Sequence, residues 1–75
     1  MDINDVVIHV SETLDPNKRH DLEDQMRAVD WVIAPRFNDG RPHLMSVAYD
    51  PERISTGELL NEVRRQGYHA QHCGA

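Results

Sequence analysis

The sequence predicts an α+β sandwich with the order β-α-β-β-α-β: one antiparallel four-stranded sheet with two helices on one face. Three observations carry this. Four short runs rich in β-branched or alternating apolar residues are separated by turn residues. Two longer segments each begin at a helix cap. Each of those segments has a single apolar stripe, enough to cover one face of a sheet and leave the other open.

Val6-Val7-Ile8-His9-Val10 is the first strand. Its β-branched residues suit a central position. Period two puts Val6, Ile8 and Val10 on one face and Val7 and His9 on the other. Asp15-Pro16 starts the first helix. An aspartate accepts hydrogen bonds from orphan amides at the N-cap, and proline is pre-set for the first helical position. Leu22, Met26 and Val29 form its apolar stripe, and the charged residues between them form a solvated face.

Trp31 to Phe37 is the second strand, with Pro35 inside it. Proline cannot donate to a ladder, so an edge strand or a bulge is expected. Asn38-Asp39-Gly40-Arg41-Pro42 is a turn, and His43 to Tyr49 is the third strand. Met45, Val47 and Tyr49 point one way, and Leu44, Ser46 and Ala48 the other. Asp50-Pro51 ends that strand, and Ser55-x-x-Glu58 is a capping box for the second helix. Thr56, Leu59, Leu60 and Val63 are its stripe, and Gly67 is its stop. Tyr68 to His72 is the last strand and Cys73-Gly74-Ala75 a tail. The whole is a ferredoxin-like layout, with strand order 4-1-3-2 expected. The first loop, the hairpin and the Gly67-Tyr68 turn then share one end of the sheet.

Composition narrows the function. Seventy-five residues make one domain over 1–75, near the lower size limit for a self-sufficient core. The net charge of −5, with no basic stripe, excludes nucleic acid and anionic membrane surfaces as expected partners. One cysteine, Cys73, allows no internal disulfide. No segment approaches the length of a membrane span, and Met1 to Asp5 has no basic n-region, so a cytoplasmic location is the default expectation. No nucleophile–base order, phosphate loop or paired carboxylates stand out, so the chain is not read as an enzyme.

The ordered set Tyr49-Asp50-Pro51, Ser55, Glu58-Leu59-Leu60 and Gly67-Tyr68-His69-Ala70 resembles the second half of the heavy-metal-associated domain family. Val29-Asp30-Trp31-Val32 stands where that family often has a Pro-Gly-Val turn. The resemblance spans nearly the whole chain, with about one inserted residue in the hairpin. It implies a small copper-chaperone-like, non-catalytic metal-binding module that passes soft ions to like-folded metal-transport partners. The family's Gly-Met-x-Cys-x-x-Cys falls on Glu12 to Lys18, with Asp15 and Lys18 at the two cysteine positions. A carboxylate beside an ammonium cannot replace a thiolate pair, so neither Asp15 nor Lys18 is expected to bind metal.

Any metal function must therefore move. Five histidines, three methionines and a cysteine are many soft or borderline ligands for this size. His9 and His69 share the open face by parity, on neighbouring antiparallel strands. If directly opposed, they would stand about 5 Å apart at Cβ and suit copper, zinc or nickel. His72 and Cys73 are adjacent but face opposite ways in a strand, so they chelate together only if the tail frays. His43 could approach the first loop, and His20 is expected in solvent. The alternative is a metal-independent interaction or homo-oligomerisation module, with Trp31 as its interface anchor.

Overall fold

The computed structural model describes residues 2–73. Its elements are β1 (Asn4–Val10), α1 (Pro16–Arg27), β2 (Val32–Asn38), β3 (Arg41–Tyr49), α2 (Thr56–Arg65) and β4 (Ala70–Cys73). The strands form one antiparallel sheet in the order β2-β3-β1-β4, as expected. The helices cover the face that carries Val6, Ile8, Val10, Met45, Val47 and Tyr49, all buried. Leu22 and Met26 of α1 and Leu59 and Val63 of α2 complete the core from above.

The caps form as the sequence directs. Asp15 Oδ1 accepts from the Lys18 amide at 2.8 Å. Ser55 and Glu58 make both halves of the capping box. Gly67 stops α2 with a φ of 94°, in the left-handed region that glycine adopts without strain. Pro35 does lie on an edge strand, and β2 carries a register shift between Val32 and Ala34 that marks a bulge.

Several boundaries differ from expectation: β1 begins at Asn4, and the hairpin strands run to Asn38 and from Arg41, leaving only Asp39 and Gly40 of the expected turn between them. Val29 belongs to the apolar stripe but lies past the end of α1, where it packs on the core from the following turn. His69 precedes β4 rather than lying within it, and Cys73 ends that strand rather than lying in a tail. Gly74 and Ala75, the rest of the expected tail, lie outside the described residues. No helix among the described residues is long and apolar enough to cross a membrane.

Candidate functional site

The loop from β1 to α1 is built by carboxylates with structural employment. Asp15 is committed to the N-cap, and Lys18 is exposed one turn on. Glu12 reaches across the sheet end to the chain entering β4. Its Oε1 accepts from the His69 amide at 2.9 Å and its Oε2 lies 2.8 Å from His69 Nδ1. Ser11 closes the same junction by donating to the His69 carbonyl at 2.9 Å. The His69 side chain, and then its amide, hold the Glu12 carboxyl below its ordinary range. His69 thus presents Nε2 outward with Nδ1 fixed against a carboxylate, the outer-shell arrangement of many metal-ligating histidines.

The β1–β4 register corrects the expected His9–His69 pairing. His9 faces Gln71, and the next step of the ladder sets His69 level with Ser11. A directly opposed pair does not form, because the register brings Gln71, two residues further along the chain, against His9 and leaves His69 just before β4.

A different pair forms instead. The rings of His9 and His43 stack with centroids 5.7 Å apart and planes 17° from parallel. His43 Nδ1 lies 2.9 Å from the Val10 carbonyl. A carbonyl only accepts, so Nδ1 carries the proton and the lone pair is on Nε2. His9 Nδ1 is buried and has no hydrogen-bond partner among the described residues. Parity hid this pair, since the β1–β3 register places Leu44, not His43, opposite His9. Continuing the register sets His43 against Val10, and the rings meet on a diagonal at the sheet end.

The remaining candidates stay apart. His72 faces Ile8 and Cys73 faces Val7, so the two side chains leave β4 on opposite faces. Cys73 is a partly buried free thiol on the open face. His20 is exposed on α1, within 3.7 Å of Glu23 and 3.5 Å of Asp24. Among the described residues, no three His, Cys, Asp or Glu side chains gather as a ready metal site. Trp31 is exposed at the other end of the sheet.

No protein-family model matches the sequence, and neither does any curated protein. Solved structures match the fold closely. Oxidised MerP from Ralstonia metallidurans CH34 superposes with a TM-score of 0.85 at 14% identity, covering 97% of this chain and 100% of that one. A copper binding domain from the P-type ATPase HMA7 gives 0.84 at 14%, covering 93% of each. The metallochaperone CopZ gives 0.80 at 18%, covering 91% and 100%. At such identities the likeness speaks for architecture alone: the chain has the ferredoxin-like fold of the heavy-metal-associated copper chaperones and ATPase metal-binding domains, with no cysteine in its first loop.

Proposed function

We propose that this chain is a small, single-domain, non-catalytic metal-handling module whose ligands are imidazoles in place of a thiolate pair. The observation that carries this is the His9–His43 pair at the first-loop end. His43 is held by a backbone carbonyl with Nε2 free, beside a His9 nitrogen that lacks a partner. His69 adds a second carbonyl- or carboxylate-oriented imidazole at the same end. Parallel rings do not aim their lone pairs at one point, so a shared ion requires one ring to turn. His9 is that ring, because no hydrogen bond holds its Nδ1. Two imidazoles suit copper, zinc or nickel, and they leave coordination positions for solvent or for a ligand from a receiving partner. Such a site holds its cargo loosely, which suits hand-over to a like-folded metal-transport partner in the cytoplasm. His72 and Cys73 would serve only as a secondary, weaker site.

Calorimetric titration with Cu(I), Cu(II), Zn(II) and Ni(II) tests this. Binding at about 10 μM or tighter, or about −7 kcal/mol, is expected for at least one borderline ion. His43→Ala and His9→Ala are expected to weaken it about tenfold or more, His69→Ala less, and Cys73→Ser least. Affinity weaker than that threshold for every ion would sink the metal reading.

Exposure of Trp31 favours a second reading, a metal-independent interaction or self-association module. Light scattering after size exclusion separates the two forms of it. A mass that doubles with concentration indicates a homo-oligomer, and a constant monomer leaves a different protein as the partner.

A further inference from the structure

The large hydrophobic side chains exposed among the described residues are Ile3 at 54%, Trp31 at 49% and Ile33 at 43%. All belong to the end of the sheet opposite the first loop. Asn4, Tyr49 and Val32 form one row across β1, β3 and β2. Ile3, Trp31 and Ile33 each lie one residue from that row. Ile33 is the extra residue of the β2 bulge, turned outward on an edge strand.

Trp31 is held in an unusual way. Its φ is 73°, the left-handed region that a bulky residue occupies at a cost. Its carbonyl accepts from the Asp50 amide at 3.0 Å, which fixes the turn. The Arg53 guanidinium sits 4.7 Å from the indole centroid. That guanidinium is already bonded to the buried Asp50 carboxylate at 2.7 Å. The indole is therefore braced by a cation whose charge is matched from within. The hollow beside it is lined by Asp30, Glu58 and Glu62 as well as Trp31 and Arg53. Arg65 pairs with Glu62, whereas Asp30 and Glu58 make no ion pair among the described residues.

We propose that this hollow docks a basic segment of another protein. A Lys or Arg of that segment packs on Trp31 and faces Asp30 and Glu58, and an apolar neighbour rests on Ile33. Tryptophan and arginine in a fixed arrangement are typical of interface centres, and cation–π attraction adds to the carboxylate field. A second copy fits poorly, since both copies would bring carboxylates and a net charge of −5 to the contact. The surface is at the other end from the imidazoles, so it stands independently of the metal reading.

Trp31 is the only tryptophan and reports on its own hollow. The probe is a synthetic peptide of alternating Lys and Leu, with a Glu-for-Lys counterpart as control. The Lys peptide is expected to shift Trp31 emission saturably, and to bind about tenfold more weakly when salt rises from about 0.05 M to about 0.5 M. Asp30→Asn is expected to weaken binding several-fold. Trp31→Gly removes the indole while suiting the left-handed backbone, so the fold persists. In that variant, amide shifts on titration are expected to show at least a tenfold loss. Four results would overturn the proposal: equal binding of the two peptides, no binding of either, amide shifts that map away from Trp31 and Asp30, or an emission change on concentrating the protein alone, which would make a second copy the occupant.

Discussion

Ile8→Ala is expected to be among the most damaging substitutions in this chain, lowering stability by about 3 kcal/mol. β1 is a central strand, paired with β3 on one side and β4 on the other. Ile8 is fully buried on its helix-facing side, level with Met45 and His72. The core it belongs to is mostly aliphatic, with Phe37 and Tyr49 as its buried aromatics. A domain of 75 residues has roughly 4–11 kcal/mol in total, so this loss is a large share. Thermal melts should show a fall of roughly 12–24 °C for Ile8→Ala. Ile8→Val should cost about 1 kcal/mol. Ile33→Ala removes the same side chain from the exposed bulge and should stay within about 0.5 kcal/mol of wild type. Equal losses at positions 8 and 33 would contradict the layering of the sheet.

That layering was legible because it depends on local signals. Val6, Ile8 and Val10 alternate, Asp15-Pro16 and Ser55-x-x-Glu58 cap, and Gly67 stops, each through chemistry confined to a few residues. The candidate site was less legible because it depends on register. The β1–β4 register sets His9 against Gln71 rather than His69, and Glu12 reaches His69 across 57 positions of sequence. The His9–His43 contact is diagonal, at a strand end, where parity says least. Trp31 did leave a trace. It stands in the segment Val29-Asp30-Trp31-Val32, read from sequence as a turn, and that is where the backbone turns left-handed. The outward turn of Ile33 follows from the bulge, which Pro35 hinted at but could not locate.

Asp50 links the fold to that end of the molecule, and Asp50→Asn is expected to lower the urea midpoint markedly at neutral pH. The residue is buried at the close of β3. Its Oδ1 accepts from the Glu52 amide at 3.0 Å and its Oδ2 from Arg53 at 2.7 Å. Its own carbonyl accepts from the Arg53 and Ile54 amides. The Arg53 hydrogen bond holds the carboxyl below its ordinary range, against the opposing push of desolvation. The folded protein therefore keeps this charge more readily than the unfolded chain does. The stabilisation is complete above the unfolded value near 3.8 and is lost as pH falls through the lower folded value. Wild type and Asp50→Asn should thus differ most at pH 7 and converge as pH falls through the lowered folded value. Glu12, held low by His69, contributes to the same acid slope, so the comparison is cleanest in a Glu12→Gln background. An offset that stays constant across the pH range would assign the loss to packing rather than charge. Release of Arg53 should also alter Trp31 emission in Asp50→Asn, because the cation braced against the indole loses its partner. A stable variant with unchanged emission would show that the indole is fixed by the turn alone.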